Sequence, residues 1–470
     1  MSGIFAAVSK DDNVADLVYY GTDYHSHLGT EFAGMAVINK EGVNKKIGSI
    51  RQTQFKSRFY SEYQNMLGDK GIGAISSKYE QPICVDSKFG LFCICTNERI
   101  QNTEELASKL YKKGISFSEV TGEGVNPTEL VAKLILESDD LVEGIEEMFS
   151  QIKGVCSLLI LTREGIYAAR DRLGYSPLVV GKKEDAWAVA TETSAFYNLG
   201  LKVESFLLPG EVVFLDKKGI HKKKKGRETE NQINSFLWIY AGFPASSYDE
   251  INVEVVRERC GRFLAKEDNV EADLVAGVPD SGTAHAIGYA MESGFPFRRP
   301  LVKYAPGYDR SYTPSSQETR DLIAKMKLIP IKELIKGKRI VLCDDSIVRG
   351  TQLRNYTLRK LWENGAKEVH LRIACPPLLF PSKFDYTTRS IEELAARRAI
   401  KAIEGKHIED VSEYLDCHSE KYKKMVEYIR KELGATTLKY QTIDDMVEAI
   451  GLLKNRLSLY VWTGKRIGPA

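Results

Sequence analysis

The chain has 470 residues, of which 43% are hydrophobic and 28% are charged. This length exceeds one typical core and suggests two globular domains with ordinary hydrophobic interiors. Its 66 basic and 64 acidic side chains leave a formal net charge of +2, so no global field favours a nucleic acid or an anionic membrane as partner. The sequence has no apolar run of about 18 residues and no signal peptide at its start. We therefore expect a cytoplasmic protein whose partners are small molecules.

Residues 1–215 have the pattern of short strands with two helical stretches, and residues 211–219 predict a strand followed by a turn. The composition then changes, because residues 221–231 form a charged, glycine-broken stretch. Such a stretch is more typical of an exposed connector than of a nucleic-acid patch. We therefore predict two domains, residues 1–230 and residues 231–470.

Eight cysteines are spread over the sequence, and none of them forms a Cys-x-x-Cys motif. Cys93 and Cys95 alternate as buried strand positions would. This distribution predicts free, buried thiols rather than a metal site. The eight positions are Cys84, Cys93, Cys95, Cys156, Cys260, Cys343, Cys375 and Cys417.

The second half alternates between strands and helices in the manner of an α/β protein, and it becomes helical past residue 390. The expected parallel sheet would place its ligand site at the carboxyl ends of its strands. Thr442 and Asp445 have the spacing of a capping box before a helix at 446–453. The other predicted elements are helices near 250–266, 283–293, 317–327 and 352–364, and strands at 272–277, 340–342 and 368–374.

The segment most informative about function is residues 340–351, where an apolar strand runs into two adjacent carboxylates and a short loop. Successive backbone N–H groups of such a loop, with the hydroxyls of Ser346 and Thr351, can surround phosphate oxygens at a helix start. Asp344 and Asp345 would repel each other unless they met a divalent cation such as Mg²⁺ or a ribose diol. The alternative is an acidic turn followed by a solvated loop.

The same segment resembles the phosphoribosyl pyrophosphate (PRPP) motif of type I phosphoribosyltransferases. Its form Asp-Asp-Ser-Ile-Val-Arg-Gly-Thr is similar to that of the glutamine PRPP amidotransferase family. The resemblance implies a Mg²⁺-dependent site in which Asp344 and Asp345 hold the ribose and the metal. The following loop would bind the 5′-phosphate, and its glycine would let the backbone approach closely. That loop consists of Ser346, Ile347, Val348, Arg349, Gly350 and Thr351.

Residues 278–282 also fit this family, because they follow a predicted strand and open a helix. They resemble the family's pyrophosphate loop, in which a hydroxyl side chain helps to hold the metal. The resemblance implies that Asp280, Ser281 and Gly282 bind PRPP and that Ser281 is the metal-holding residue.

Residues 310–327 resemble the family's flexible catalytic loop, which closes over PRPP. In that role Arg310 and Lys327 would supply positive charge to the leaving pyrophosphate. Taken alone, these basic residues could simply form the solvated face of a helix. Three family motifs in the expected order favour the catalytic interpretation.

The first half resembles the N-terminal-nucleophile glutaminase domain of the same family, as shown by residues 170–178, 190–195 and 209–211. The resemblance thus covers nearly the whole chain. It implies an αββα sandwich followed by a doubly wound parallel sheet of the type I phosphoribosyltransferase kind. In the family, a cysteine at the processed N-terminus attacks the amide of glutamine, activated by its own α-amino group.

Four positions depart from this glutaminase pattern. Ser2 stands where the family has its nucleophilic cysteine, and Ser76 stands where an arginine binds glutamine's carboxylate. Asn97 is kept, but Glu98 replaces the glycine whose N–H faces the oxyanion, and Pro127 replaces the aspartate that holds glutamine's amino group. Serine can act as an N-terminal nucleophile elsewhere, so Ser2 alone leaves the question open. Together the changes predict a glutaminase-like scaffold without glutamine hydrolysis.

Some members of the family carry a four-cysteine iron–sulfur cluster. The corresponding positions are Asn234, Ser382, Ser458 and Val461. None of these side chains offers a thiolate. We therefore expect no cluster.

The combined expectation is a phosphoribosyltransferase of the amidophosphoribosyltransferase type, which belongs to purine biosynthesis. It would form 5-phosphoribosylamine from PRPP and ammonia, or transfer the group to another small nucleophile, and release pyrophosphate. The resemblance also implies a homo-oligomer, and a partner protein could supply the ammonia. Two alternatives are transfer to a different acceptor and a non-catalytic regulatory protein that responds to PRPP or a nucleotide.

Overall fold

The structure is a computed structural model, and it describes residues 2–11, 13–121, 124–227, 231–266, 268–304, 327–384, 388 and 390–465. The strands of the first half are β1 (Gly3–Ser9), β2 (Phe32–Ile38), β3 (Val43–Ser49), β4 (Lys70–Ser76), β5 (Ile83–Ser87), β6 (Gly90–Ile100), β7 (Val120–Thr121), β8 (Gly124–Val125), β9 (Gly154–Leu161), β10 (Ile166–Ala169), β11 (Val179–Lys182), β12 (Ala186–Ala190), β13 (Lys202–Phe206), β14 (Val212–Asp216) and β15 (Gly219–Lys224). The strands at the centre of the first half, such as β1, β4 and β12, are buried along their whole length, as expected for sheets that are covered on both faces.

The first half contains more helices than the two stretches predicted from the sequence. The prediction was wrong because the helices are short and several are rich in aromatic residues, which favour strands by propensity. In the second helix the aromatic residues Phe55, Phe59 and Tyr63 recur every four positions and form its buried face. The helices are α1 (Ala15–Asp23), α2 (Phe55–Tyr63), α3 (Thr103–Lys112), α4 (Pro127–Ile135), α5 (Leu141–Gln151) and α6 (Ser194–Tyr197).

Two antiparallel sheets pack face to face in this half. One has the strand order β13-β11-β12-β1-β4-β2-β3, and the other has the order β15-β14-β10-β9-β6-β5. Ile4 and Val8 of β1 face the core between the sheets, together with Leu159 of β9. Phe5 of β1 faces the opposite way, into the core beneath α1 and α2. A third core lies between the second sheet and α3, α4 and α5, so the layers form an αββα sandwich.

The basic run that we predicted as a connector belongs in part to a strand. Residues 221–224 lie in β15, which pairs with β14 at the edge of the second sheet. Lys222 forms an ion pair of 2.7 Å with Glu211, and Lys224 pairs with Glu146. Lysines on an edge strand discourage pairing with another chain, which explains their presence in a strand.

The prediction of free, buried thiols is correct for some cysteines and wrong for one pair. Cys84 of β5 and Cys93 of β6 are directly opposite each other across the two strands and form a disulfide. Their separation of nine residues gave no sign of this pairing, because it depends on the register of the hairpin. The remaining cysteines are free; Cys417 is partly exposed, and the buried ones are Cys95, Cys156, Cys260, Cys343 and Cys375.

The second half is built around a parallel sheet with the strand order β19-β22-β23-β24. A single hydrophobic core surrounds this sheet. Its strands and the short flanking strands are β16 (Ile233–Asn234), β17 (Ser247–Tyr248), β18 (Ile251–Asn252), β19 (Leu274–Gly277), β20 (Leu301–Lys303), β21 (Leu328–Pro330), β22 (Arg339–Asp344), β23 (Glu368–Ile373), β24 (Thr437–Tyr440) and β25 (Leu457–Ser458). Its helices are α7 (Val253–Lys266), α8 (Thr283–Ser293), α9 (Lys332–Ile335), α10 (Arg359–Glu363), α11 (Ala395–Glu404), α12 (Glu420–Leu433), α13 (Ile443–Ile450) and α14 (Tyr460–Thr463).

The strand–helix alternation predicted for the second half is confirmed. The Oγ1 of Thr442 accepts a hydrogen bond of 3.1 Å from the backbone N of Asp445, which confirms the predicted N-cap, although α13 begins three residues earlier than expected. A helical turn at Leu353–Leu358 leads directly into α10. Most of the helix predicted near 317–327 lies outside the described residues. The search for helices long and apolar enough to cross a membrane found none among the described residues.

The two halves meet at a buried carboxylate of the first half. Glu192 accepts hydrogen bonds from Ser246 Oγ at 2.9 Å and Tyr248 Oη at 2.5 Å, and it lies 3.1 Å from Nε2 of His27. Neighbouring Thr193 accepts a bond of 2.8 Å from the backbone N of Ser247. These contacts fix the start of the second half against the sandwich.

Candidate active site

Two loops that the sequence predicts to bind one ligand lie side by side in the structure. They follow β19 and β22, which are parallel neighbours in register from Leu274 and Ile340 onward. The backbone N of Val278 donates a hydrogen bond of 2.9 Å to the carbonyl of Cys343, and Ser281 Oγ donates one of 3.0 Å to Asp344 Oδ1. Both loops therefore open at the same edge of the sheet, where ligands of α/β proteins bind.

The two adjacent carboxylates form the chemical centre of this edge. Asp344 is 8% exposed and Asp345 is 6% exposed. Burial raises the pKa of both carboxyl groups, and for Asp344 the neighbouring charge of Asp345 raises it further. Ser346 Oγ donates a hydrogen bond of 2.6 Å to Asp345 Oδ2. Buried carboxylates with raised pKa values favour a cation, and together with the Ser281 hydroxyl they form the hard oxygen donor set that suits Mg²⁺.

The pyrophosphate loop predicted at 278–282 packs too tightly for a larger residue at its end. A Cβ atom on Gly282 would lie 2.1 Å from the carbonyl oxygen of Cys343. The backbone N of Gly282 donates a 2.7 Å hydrogen bond to Val278, which closes the loop before α8 begins. Asp280 is exposed and forms an ion pair of 3.0 Å with Lys303 of β20.

The predicted phosphate loop, residues 346–351, begins at the end of β22 and leads into the helical turn at Leu353–Leu358. Ile347 is buried, and the carbonyl of Val348 accepts a hydrogen bond of 2.7 Å from the backbone N of Ala395. Gly350 has a φ of +75°, a left-handed conformation that favours glycine. A residue with a side chain would be strained at this point of the loop.

Support for this loop comes from residues that the sequence did not single out. Arg398 Nη2 donates a hydrogen bond of 2.8 Å to the carbonyl of Arg349, and Arg349 forms an ion pair of 2.9 Å with Glu393.

Arg257 of α7 is buried, and its positive charge counteracts the effect of burial on the pKa of Asp345. Its guanidinium donates to the carbonyls of residues 238, 240 and 242. No sequence motif marks these arginines, because their contacts depend on tertiary packing.

The predicted catalytic loop is described only at its end. Arg310 lies outside the described residues, whereas Lys327 immediately precedes β21. The carbonyl of Lys327 accepts a hydrogen bond of 2.8 Å from the backbone N of Tyr304. Strand β20 pairs with β21, and Lys303 of β20 contacts Asp280 of the pyrophosphate loop. The segment between these strands therefore starts and ends beside the candidate site.

In the first half, three of the predicted glutaminase positions come together. The backbone N of Ser2 donates a hydrogen bond of 3.0 Å to Asn97 Oδ1. Gly3 is the register partner of Ile75, so Ser2 lies beside Ser76 at the ends of β1 and β4. Ser76 is buried, and its Oγ accepts bonds from the backbone N atoms of residues 78 and 79. Ser2, Ser76 and Asn97 therefore lie together at this end of the sandwich.

The other two predicted glutaminase positions are Glu98 and Pro127. Glu98 is buried, and burial raises its pKa to about 7. Pro127 is the first residue of α4, and the preceding Asn126 caps this helix by accepting a 2.9 Å hydrogen bond from the backbone N of Thr128. A proline at this position has neither a side-chain acceptor nor a backbone N–H.

The positions that correspond to iron–sulfur ligands are partly brought together. Asn234 and Ser458 are register partners in the parallel pair β16–β25. The carbonyl of Val461 accepts bonds of 3.0 Å from the backbone N atoms of Leu379 and of the residue that follows it. Ser382 is held by a bond of 2.8 Å from its backbone N to Thr388 Oγ1.

Comparison with known proteins identifies the family. The model of a glutamine amidotransferase domain matches residues 72–198. The amidophosphoribosyltransferase of Methanocaldococcus jannaschii is 32% identical, over 99% of this chain and 97% of the relative. The chain belongs to the amidophosphoribosyltransferase family. The amidophosphoribosyltransferase of Bacillus subtilis is also 32% identical, over 96% of this chain and 89% of its own length.

Solved structures of amidophosphoribosyltransferases share the whole fold. The chain resembles the glutamine PRPP amidotransferase of B. subtilis, whose structure was solved in complex with ADP and GMP. The TM-score is 0.84 and the identity is 31%, and the match covers 99% of this chain and 97% of the other. It also resembles a second structure, which is described as the allosteric regulatory enzyme of purine biosynthesis. The TM-score is 0.85 and the identity is 30%, and the match covers 99% of this chain and 96% of the other. The predicted fold class, a glutaminase-like sandwich followed by a phosphoribosyltransferase sheet, is confirmed.

Proposed function

We propose that this family member transfers the phosphoribosyl group of PRPP to ammonia, forming 5-phosphoribosylamine and releasing pyrophosphate. The observation that carries the proposal is the contact of two loops at one sheet edge, in which Ser281 bonds to Asp344 beside the buried Asp345. A phosphate loop with a left-handed glycine follows directly. Membership of the amidophosphoribosyltransferase family agrees with this arrangement.

The proposed transfer replaces one bond at the anomeric carbon of the ribose. The bond from this carbon to the pyrophosphate oxygen breaks, and the lone pair of ammonia forms the new carbon–nitrogen bond, after which one proton leaves for solvent. Positive charge develops on the ribosyl group, and the carboxylates of Asp344 and Asp345 would stabilise it. Residues 346–351 would hold the 5′-phosphate and so fix the ribose for attack. Mg²⁺, held by Ser281, Asp344 and Asp345, would neutralise charge on the departing pyrophosphate.

Two lysines define where the leaving group would depart. Lys303 contacts the pyrophosphate loop through Asp280, and Lys327 lies at the base of the segment that contains Arg310. We propose that Arg310 and Lys327 supply positive charge to pyrophosphate. A purely regulatory PRPP sensor would have less need of such groups, so the presence of both residues in the sequence favours an enzyme.

We further propose that glutamine is not the nitrogen source. In the sandwich, Ser76 offers no positive charge for a substrate carboxylate, and a buried carboxyl group at Glu98 opposes development of an oxyanion nearby. The glutaminase layers would then act as scaffold, which their contact with the second half through Glu192 suits. The homo-oligomer and an ammonia-supplying partner stay predictions.

The decisive assay measures pyrophosphate released from PRPP in the presence of Mg²⁺, with either an ammonium salt or glutamine as the nitrogen source. We expect release with ammonium and none with glutamine. Asp344→Asn should reduce the rate on the order of 10²- to 10³-fold, as the loss of a preorganised electrostatic contact does. Turnover with glutamine that is lost in Ser2→Ala would overturn the assignment of the first half. Binding of PRPP without release under any condition would favour the regulatory alternative, and release only with another acceptor would change the substrate.

A further inference from the structure

A cavity lies at the same edge of the parallel sheet, beyond the loops already described. It has a volume of about 360 Å³ and opens past the ends of β23 and β24. Pro376 and Leu379, which follow β23, line one side, and Gln441, which follows β24, lines another. Tyr414 and Trp462 contribute aromatic walls. None of the described residues that are assigned to PRPP lines this cavity.

Three consecutive residues with metal-binding side chains lie at this cavity. Asp416, Cys417 and His418 each offer one ligand atom, and the three atoms lie within 4.8 Å of one another. All three residues line the cavity. The turn is held from within, because the backbone N of His418 donates a bond of 2.9 Å to Asp416 Oδ1. Ser419 Oγ then caps α12 by accepting a bond of 3.0 Å from the backbone N of Tyr422.

A separate observation also points to a bound group at this place. Gln441 is 2% exposed, and its Nε2 has no hydrogen-bond partner among the described residues. An unpartnered buried amide costs about 1–3 kcal/mol in general, so such groups call for a partner. Gln441 lines the same cavity as the three ligand-bearing residues. A bound water or anion there would supply the missing acceptor.

We propose that Asp416, Cys417 and His418 bind a divalent transition-metal cation of the zinc type, with a fourth position open to the cavity. Thiolate, imidazole and carboxylate are the ligands that Zn²⁺ prefers, whereas Mg²⁺ requires oxygen donors. Three protein ligands plus one open position is the pattern of a zinc site that binds a further small ligand. The N-terminus of α12 lies next to the site and carries partial positive charge, which alone would repel a cation. The carboxylate of Asp416 and the thiolate of Cys417 would neutralise the cation and so remove this repulsion.

The position of this site in the fold gives it a structural consequence. Helix α12 begins at Glu420, directly after the ligand turn, and ends at Leu433. A Cβ atom on Gly350 would lie 3.2 Å from Leu433 Cδ2, so the far end of the helix packs against the phosphate loop. A cation bound at the start of α12 would therefore fasten an element that supports this loop. The metal proposal itself does not depend on the reaction proposed above.

The test uses the full-length protein without added tags and two probes of the metal alone. Cys417 is the one free cysteine that is not buried, and every cysteine lies within the described residues. Zn²⁺ should slow the modification of Cys417 by a thiol reagent at least tenfold, measured by mass spectrometry of its peptide. Mg²⁺ should not slow it. Co²⁺ should produce a thiolate-to-metal absorption band at one equivalent per chain.

Matched variants separate this site from adventitious binding. Cys417→Ser should abolish the cobalt band, and His418→Gln should weaken metal binding at least tenfold. His407→Gln changes an exposed histidine elsewhere and should bind the metal as the unchanged protein does. Unprotected Cys417 in the presence of Zn²⁺, or equal cobalt binding by His418→Gln and His407→Gln, would refute the site even if one variant folds poorly.

Discussion

The guanidinium of Arg398 donates a 2.8 Å hydrogen bond from Nη2 to the backbone carbonyl of Arg349, in the middle of the phosphate loop. The same guanidinium donates from Nη1 to the carbonyl of Glu393 at 2.9 Å and lies 3.2 Å from the carboxylate of Glu432. One side chain of α11 therefore ties the loop to two other segments. Arg349 also forms an ion pair with Glu393, so both its backbone carbonyl and its side chain are held in place.

Arg398→Ala should therefore raise the KM for PRPP about tenfold or more, with a smaller change in kcat, because the loop loses its backbone anchor rather than a reacting group. Arg398→Lys should recover part of the loss, since a single cation can still bond to one carbonyl. Arg359→Ala, which breaks an exposed ion pair on α10, is the control. Steady-state pyrophosphate release measures both constants. An unchanged KM in Arg398→Ala would show that the loop holds its shape without this contact.

The contrast between Arg398 and Asp344 shows what the sequence could predict. Asp344, Asp345 and Gly350 stand in one short segment, where an apolar strand ends in polar and glycine residues, so the local pattern is enough to predict a binding role for them. Arg398 contacts a residue 49 positions earlier. Such a pairing requires the fold of the intervening chain, and an arginine on an amphipathic helix otherwise indicates only a solvated face.

The difference between local patterns and contacts that depend on the fold also explains two wrong predictions in the first half. The Cys84–Cys93 disulfide depends on the register of β5 against β6, which a sequence specifies only through its turn. The basic run at 221–224 has the composition of a connector, yet lysine is also common on edge strands. By contrast, the caps at Thr442 and Asn126 are local, and the first was predictable from a spacing of three residues.

Asp344→Asn should stabilise the protein while it reduces turnover. Burial and the charge of Asp345 raise the pKa of Asp344 in the folded state. A folded pKa above the unfolded value means that stability is lost as pH rises, so an ionised Asp344 destabilises the fold at neutral pH. Removing this charge should raise Tm by a few degrees at pH 8 without Mg²⁺. Differential scanning calorimetry of Asp344→Asn tests this, with Glu333→Gln, a change at an exposed position, as the control. A Tm that falls in Asp344→Asn but not in the control would contradict the prediction.

Glu98→Gln should remove a pH-dependent loss of stability. The folded pKa of Glu98 is about 7, above its ordinary value of 4.5, because the side chain is buried. The folded state therefore binds more protons between these values, and stability falls as pH rises from 4.5 through 7. The variant should be more stable than the unchanged protein by about 3 kcal/mol at pH 8, and the difference should shrink toward zero at pH 4.5.

Urea unfolding at a series of pH values measures this difference directly. Glu104→Gln, an exposed change in the first turn of α3, should show no comparable trend. A difference between Glu98→Gln and the unchanged protein that stays constant from pH 5 to pH 8 would show that Glu98 does not titrate in this window.

Ser2→Cys should not create turnover with glutamine. A cysteine restores the family's nucleophile, but the neighbouring Ser76 still offers no cation for the substrate carboxylate. The variant also leaves Glu98 buried with a raised pKa, and Pro127 still has no side-chain acceptor for the amino group. Because these groups act together on one substrate, a single repair recovers little of their combined effect.

The assay measures the rate of pyrophosphate release by Ser2→Cys with glutamine and with an ammonium salt in the same preparation. Mass spectrometry should first confirm that Met1 has been removed, since only then is the cysteine α-amino group free to act as base. The ammonium-supported rate should match that of the unchanged protein. A glutamine-supported rate in Ser2→Cys that approaches the ammonium-supported rate would mean that the nucleophile alone was missing, and that the pocket around Ser76 and Glu98 still binds glutamine.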